Sequence, residues 1–238
     1  MKILSLECSA SPASVCITEN GKILSSVFIN VKMTHSQTLL PMVKNCLDAA
    51  SIKLDDIDAF AISSGPGSFT GIRIGIAAVK GLALKNNVPC VAVSTLEAMA
   101  QLFIDHNTLI CAVMDARCNQ VYNALFSVEN GNITRLCEDR ALLCDELTYE
   151  LKNNYSDRNI IVVGDGADLF YSHLTEDINV SLAPEHLKYQ NAVGVAFAAQ
   201  SAVQNGDTIS PAALLPKYLR LPQAERELKK KLNKQECC

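Results

Sequence analysis

A buried strand that breaks at a glycine turn and restarts as a helix constrains the fold of this chain more than any other segment. The apolar run Ala59-Phe60-Ala61-Ile62 is followed by Gly65-Pro66-Gly67 and then by a helical pattern over residues 69–86. In many α/β folds such a turn presents backbone N–H groups to a phosphate. The glycine spacing, however, fits neither a dinucleotide fingerprint nor a Walker loop, and Pro66 has no N–H to donate. The segment predicts phosphate-loop architecture without phosphate-loop chemistry.

The helix after this turn carries glycines that need a packing reason, because a glycine inside a helix costs about 0.5–1 kcal/mol relative to alanine. Gly71 and Gly75 lie four residues apart on one face, and Ala77 and Gly81 form a second small pair on another. Small residues at this spacing let another backbone approach closely. We expect one face to pack on the chain's own sheet. The second face has two interpretations, further packing inside the domain or contact with another chain.

Composition limits the classes of fold and function. With 238 residues, of which 49% are apolar, the chain is long enough for one large or two medium domains with a substantial core. A net charge of -4 argues against broad nucleic-acid binding by the whole surface. Ten scattered cysteines without a C-x-x-C pair predict reduced, buried thiols in a cytoplasmic protein. We expect no membrane segment, because no apolar run approaches the length of a span.

The predicted elements repeat along the chain. Three strands open the first half, and Asn20-Gly21 between the second and third is a strong hairpin signal. The second half starts in the same way, with Asn130-Gly131 as its hairpin, and Glu7 and Asp115 take comparable places on the two first strands. This repeat predicts an α/β, duplicated actin-like (ASKHA, ribonuclease H-like) fold, with two lobes that each hold a mixed sheet flanked by helices. The expected limits are 1–106 for the N-terminal lobe, 107–220 for the C-terminal lobe and 221–238 for a basic tail.

Several segments together closely resemble the bacterial TsaB family, also called YeaZ. The most specific is the glycine turn with the start of its helix, Gly65-Pro66-Gly67-Ser68-Phe69-Thr70-Gly71-Ile72-Arg73-Ile74-Gly75. Weaker matches are Leu4-Ser5-Leu6-Glu7-Cys8-Ser9, His35-Ser36 with Leu40-Pro41, Val93-Ser94-Thr95-Leu96 and Pro216-Lys217-Tyr218-Leu219-Arg220. The resemblance spans nearly the whole chain. It implies a role in making threonylcarbamoyladenosine beside the anticodon of tRNA. The implied partners are TsaD, which performs the transfer and pairs with TsaB, and TsaE, an ATPase that joins them.

The residues after the two first strands argue against catalysis by this chain. Actin-like ATPases follow the acidic residue of the first strand with glycine and Ser or Thr, so that the backbone wraps a phosphate. Here Glu7 is followed by Cys8-Ser9-Ala10-Ser11, and Asp115 is followed by Ala116-Arg117-Cys118, with no glycine in either turn. Side chains therefore stand where N–H groups would face an anion.

A metal is equally hard to place. TsaD holds its metal with two histidines one helical turn apart, and the corresponding positions of this chain are Thr95 and Met99. The Gly164-Asp165-Gly166 turn offers room for an adenosine group, although we favour an ordinary turn after a strand. We predict no catalytic, cofactor-binding or metal-binding residue, and a non-catalytic subunit that binds TsaD. The alternatives are an active ATPase or small-molecule kinase of the same fold, or a metal-dependent peptidase.

Two helices, residues 34–50 and 69–86, carry more apolar surface than one buried face requires. Similarity to TsaB implies pairing through these first two helices. The expected interface residues are Leu40, Met42, Arg73, Ile76, Ala77 and Lys80. We expect the patch to hold a homodimer of the free chain and to bind TsaD, so that the two complexes compete. Helices covered on both sides inside one domain are the alternative.

The tail adds a possible contact with tRNA, which would reach this chain through the complex. The basic residues are Arg226, Lys229, Lys230 and Lys231, with Lys234 beyond them. Each cation is able to neutralise one phosphate, and such contacts weaken steeply with salt. A solvated end of the chain is the alternative, which we favour.

Overall fold

The computed structural model describes residues 1–174 and 178–220, which form two mixed β-sheets flanked by helices. In chain order the elements are β1 Lys2–Glu7, β2 Ala13–Glu19, β3 Lys22–Ile29, α1 His35–Ala50, β4 Ala59–Gly65, α2 Phe69–Leu84, β5 Cys90–Ser94, α3 Thr95–Gln101, β6 Thr108–Asp115, β7 Gln120–Glu129, β8 Asn132–Arg135, β9 Arg140–Leu143, α4 Cys144–Asn154, β10 Ile160–Val163, α5 Ala167–Tyr171, β11 Val180–Leu182, α6 Glu185–Lys188 and α7 Ala192–Asn205. Two short 3₁₀ helices cover Leu54–Asp56 and Pro211–Ala213.

The two sheets share one plan. The first has the strand order β3-β2-β1-β4-β5, and the second has the order β8-β7-β6-β10-β11, with β9 paired to β7 as well. In each sheet the three-strand meander is antiparallel and the two strands that follow helices join in parallel. The predicted hairpins lie at Asn20-Gly21 and Asn130-Gly131, and all four of these residues have positive φ, as a tight primed turn requires. The predicted duplication is confirmed strand by strand.

Helices cover both faces of the first sheet, so its central strand is buried on both sides. Helices α1 and α2 pack on one face, in a core that includes Leu39, Ile62 and Val79. On the other face α7 packs through Val195 and Ala199. Burial on both faces explains why β1 and β4 are nearly continuous apolar runs rather than alternating ones.

The two halves exchange helices. Helix α3 belongs to the first repeat, yet Met99 on the helix and Phe103 just after it lie in the core of the second sheet. Helix α7 belongs to the second repeat and packs on the first sheet. The two helices also meet each other at Gly194, where an added Cβ would overlap the carbonyl oxygen of Ala98. Along the chain the second sheet begins with β6, while the packing interleaves the two halves.

Some predicted elements differ from the observed ones. The sequence after β5 predicts a helix over residues 95–105, but α3 ends at Gln101. The sequence predicts neither strand β9 nor helix α6. Both missed elements have only four residues, too few to show a helical or alternating period. No helix within residues 1–174 and 178–220 is long and apolar enough to cross a membrane.

Candidate functional site

The glycine turn lies between β4 and α2, at the carboxyl end of β4. Ser68 occupies the N-cap of α2, and its hydroxyl accepts a hydrogen bond from the Gly71 N–H at 3.2 Å. The N–H of Ser68 donates to the carbonyl of Ser9 in the turn between β1 and β2, with an N···O distance of 2.6 Å. The start of α2 is thus fastened to that turn.

Each glycine of this segment meets another part of the chain. A Cβ added at Gly65 would overlap the carbonyl oxygen of Lys217, one at Gly67 that of Ser9, and one at Gly71 that of Cys8. Gly65 and Gly67 also have φ of +129° and +152°, which side chains rarely adopt. The glycines therefore allow three backbone segments to stack: residues 8–9, the glycine turn and residue 217. We call this stack the backbone junction.

A cleft of about 640 Å³ opens beside the backbone junction. Residues 9–11, 31–33 and 66–70 line it from the first half of the chain, residues 114–117, Tyr122 and Asp165 from the second, and residues 217–220 close one side. This is the place where the two equivalent central strands β1 and β6 end. The sequence marks both strand ends and, through the family resemblance, residues 216–220, but it does not predict that residues 31–33 and 217–220 line a cleft.

Glu7, the acidic residue at the end of β1, is fully buried. Its two carboxylate oxygens accept hydrogen bonds from the chain itself, one from the Ser63 hydroxyl and one from the Ser9 N–H at 2.6 Å. Burial raises the pKa of the Glu7 carboxyl. The carboxylate holds the adjacent turn in place and does not face open solvent.

Asp115, the equivalent residue of β6, stabilises its own turn in a different way. It is exposed, and its carboxylate accepts the Arg117 N–H at 2.7 Å. Arg117, Cys118 and Asn119 have φ of 65°, 57° and 55°, so three consecutive residues other than glycine are left-handed. Such a conformation costs about 1 kcal/mol or more per residue and needs support from the surroundings. The Arg117 N–H, which in a phosphate loop would face an anion, therefore donates to an aspartate of the same chain.

Asp165 lies on the floor of the cleft, in the turn after β10. It accepts a hydrogen bond from the Gln190 amide at 2.6 Å, and desolvation by the surrounding protein raises its pKa to about 6. Its glycine neighbours are required by close packing on the end of β6, because a Cβ at Gly164 would overlap the Val113 carbonyl and one at Gly166 the backbone of Met114. Packing of the turn is enough to explain both glycines.

The two positions that the sequence resemblance predicts to stand in place of metal-binding histidines lie in the core. Thr95 and Met99 are both fully buried on α3. Met99 Sδ lies beside Gly164, where it fills the space under the cleft floor. Within residues 1–174 and 178–220, no group of three or more His, Cys, Asp or Glu side chains is placed to hold a metal ion.

The predicted interface residues on α2 divide into an exposed set and a buried one. Arg73 and Ala77 are exposed and Lys80 is half-buried, so they form an outer face together with Gly81. A Cβ added at Gly81 would meet no other part of the described chain within 4 Å. The expectation that Ile76 faces outward is wrong, because the structure buries it to 5% exposure. Ile76 continues the core stripe of α2 at helical spacing.

The same correction applies to α1. Leu40 is 51% exposed, as the interface prediction requires, whereas Met42 is only 4% exposed. Met42 lies between Leu39 and Cys46 on the face of α1 that packs against the first sheet. The buried face of α1 is therefore wider than the sequence pattern predicts. The basic residues predicted to contact tRNA, Arg226, Lys229, Lys230 and Lys231, lie outside the described residues.

Comparisons with known proteins find two related groups, TsaD and TsaB. The family model of TsaD, described as tRNA N6-adenosine threonylcarbamoyltransferase, matches residues 22–228 of the chain. The tRNA threonylcarbamoyladenosine biosynthesis protein TsaB of Escherichia coli is 38% identical over 152 residues, which are 63% of this chain and 65% of that protein. TsaB of Buchnera aphidicola subsp. Schizaphis graminum is 30% identical over 80% of this chain and 89% of that protein.

The solved structures agree with the sequence relatives. The structure of YeaZ from Pseudomonas aeruginosa superposes with a TM-score of 0.79, at 27% identity, over 92% of this chain and 99% of that chain. Together with the two equivalent sheets, this similarity confirms the predicted duplicated actin-like fold.

Proposed function

The chain belongs to the TsaB family, also called YeaZ, and from this premise we propose that it is the non-catalytic subunit that binds TsaD. Its relatives carry the name of tRNA threonylcarbamoyladenosine biosynthesis proteins, and the chain serves that pathway. In our proposal TsaD transfers the threonylcarbamoyl group, TsaE joins the pair as an ATPase, and tRNA is bound through the complex in the cytoplasm. The free chain forms a homodimer.

One observation supports the non-catalytic role above the others, namely that the chain's own backbone fills the place of a phosphate loop. The glycine turn packs on the carbonyl oxygens of Ser9 and Lys217, and its Ser68 N–H donates to Ser9 rather than to a ligand. The carboxylates of Glu7 and Asp115 are both engaged by N–H groups of their own turns.

The outer face of α2 supports the role as a partner. Gly81 and Ala77 leave the helix backbone open to close approach, and Leu40 on α1 and Leu84 at the end of α2 expose large apolar side chains, at 51% and 71%. A second helix pair is able to pack here with its backbone close to α2. The TsaD family model matches most of this chain, so a TsaD protein is able to present two equivalent helices.

The direct test is to titrate the purified full-length chain with TsaD in sedimentation velocity experiments. We expect the homodimer peak to disappear as a heterodimer peak grows, because the two complexes use one surface. A species that contains the intact homodimer together with TsaD would refute the shared surface.

The second test measures ATP turnover by the chain alone. We expect no hydrolysis above buffer, and none with magnesium present. Turnover that is lost in the Glu7→Gln or the Asp115→Asn variant would refute the non-catalytic role.

A further inference from the structure

The segment after the last helix crosses from the first half of the chain to the second along one side of the cleft. We call residues 214–220 the strap. It starts at Leu214, which is fully buried in the core under α1 and α2. Just before it, Ile209 pairs with Cys90 at the start of β5, with N···O distances of 2.8 and 2.9 Å. The beginning of the strap is therefore fixed to the first half.

The middle of the strap lies on the backbone junction. The N–H of Lys217 donates to the Ser64 carbonyl at 2.8 Å, and the Lys217 carbonyl occupies the space that a side chain at Gly65 would need. The next residue, Tyr218, stacks on Phe69 with ring centroids 4.6 Å apart. Its hydroxyl accepts a hydrogen bond from Arg73 Nε at 2.8 Å, which links the strap to the outer face of α2.

The end of the strap holds the second half. Lys217 Nζ lies 3.4 Å from the carboxylate of Asp139, a fully buried side chain that also pairs with Arg135 at 2.7 Å. Arg220 donates to the Ala116 carbonyl at 3.0 Å and to the Gln120 side chain. Both acceptors of Arg220 belong to the turn region after β6, which holds the three left-handed residues.

We propose that the strap is a built-in lock that holds the two halves of the chain together across the cleft. Two-lobed proteins commonly close around a ligand that contacts both sides. Here four residues of the strap make contacts across the cleft. Leu214, Lys217 and Tyr218 contact the first half, and the side chains of Lys217 and Arg220 bond to the second half. Opening the cleft requires the loss of the Lys217 and Arg220 side-chain contacts, or the detachment of the strap from both the Ser64 carbonyl and Phe69. The lock thereby fixes the relative orientation of α2 and the second sheet.

The test measures a distance across the cleft in the full-length chain. Spin labels are attached to the exposed native Cys118 and, through Lys32→Cys, to the opposite rim. Cys237 and Cys238 are replaced by serine, and mass spectrometry checks that two labels are present. We expect one narrow distance distribution for the intact strap. In an Arg220→Ala, Lys217→Met variant the distribution shifts to longer distances and broadens.

Two variants keep this test decisive. Arg158→Ala removes an arginine of similar exposure that bonds to Ser127 and Glu129, and it must leave the distribution unchanged. Lys217→Met alone leaves Asp139 paired with Arg135, so it preserves the fold and must give a smaller shift in the same direction. An unchanged distribution in both strap variants would overturn the lock. The measurement needs no TsaD, so its failure is separate from a failure of the proposed function.

Discussion

The inner and outer faces of α2 carry the same type of residue for opposite reasons. On the inner face, both glycines pack closely against Cys8. The carbonyl oxygen of Cys8 lies against Gly71, and its sulfur lies against Gly75. On the outer face, Gly81 has open space and Ala77 is exposed. Small residues four apart predict a close approach, but the spacing alone does not say which neighbour approaches. The structure assigns the inner pair to the chain itself and leaves the outer pair without a neighbour in the described residues.

The largest expected effect is on the inner face. Gly71→Ala places a methyl group against the Cys8 carbonyl, a backbone atom that cannot rotate away. Alanine favours the helix, but overpacking of this kind costs about 1–3 kcal/mol and sometimes more. We therefore expect the free energy of unfolding to fall by an amount near the upper end of this range. Urea unfolding measures the free energy of unfolding. Stability equal to the parent would contradict the backbone junction.

A smaller loss is expected one turn later. A Cβ at Gly75 would lie 2.5 Å from the sulfur of Cys8 and 2.8 Å from the end of the Ile62 side chain. Side chains are able to move, so Gly75→Ala should lower the free energy of unfolding by only about 1 kcal/mol. A Gly75→Ala variant that also carries Cys8→Ala should recover part of this loss. The two single variants and the double variant, unfolded in urea, give the coupling between the two sites.

The smallest effect has the opposite sign. Gly81→Ala meets no atom within 4 Å and removes a helix glycine, so the free chain should gain about 0.5–1 kcal/mol in the free energy of unfolding. The comparison of the three glycines would fail if Gly81→Ala destabilised the monomer as much as Gly71→Ala. Because the homodimer covers this face in our proposal, the unfolding is measured at protein concentrations below dimerisation.

Local signals in the sequence predicted much of this fold. The Asn-Gly hairpins, the strand order and the glycine turn each depend on residues close together in the chain, and the structure confirms them. The reason for Gly65 was not predictable, because the carbonyl that requires it belongs to Lys217, which lies far away in the sequence. The cleft has the same origin, since its walls come from seven separate parts of the chain.

The interface prediction was wrong for two apolar residues that lie at the edges of the buried stripes of α1 and α2. Met42 and Ile76 were interpreted as apolar residues beyond the buried stripe, yet both continue it. A helix that packs on a twisted sheet buries a stripe of variable width, and hydrophobicity alone does not locate its edge. Exposed glycine and alanine, at Gly81 and Ala77, mark the outer face more reliably than the large apolar residues do.

The account rests most on the outer face of α2 as the partner surface, and Ala77→Arg tests it most directly. The arginine extends into solvent in the free chain, so folding is preserved, whereas burying it unpaired in a complex should cost about 3 kcal/mol. That cost corresponds to roughly a hundredfold weaker association. The matched control is Ser201→Arg, at an exposed position of α7 on the opposite side of the first sheet. Sedimentation with and without TsaD should show a folded Ala77→Arg monomer that binds neither itself nor TsaD, beside a Ser201→Arg control that binds both. A folded Ala77→Arg variant that still forms both complexes would contradict the account.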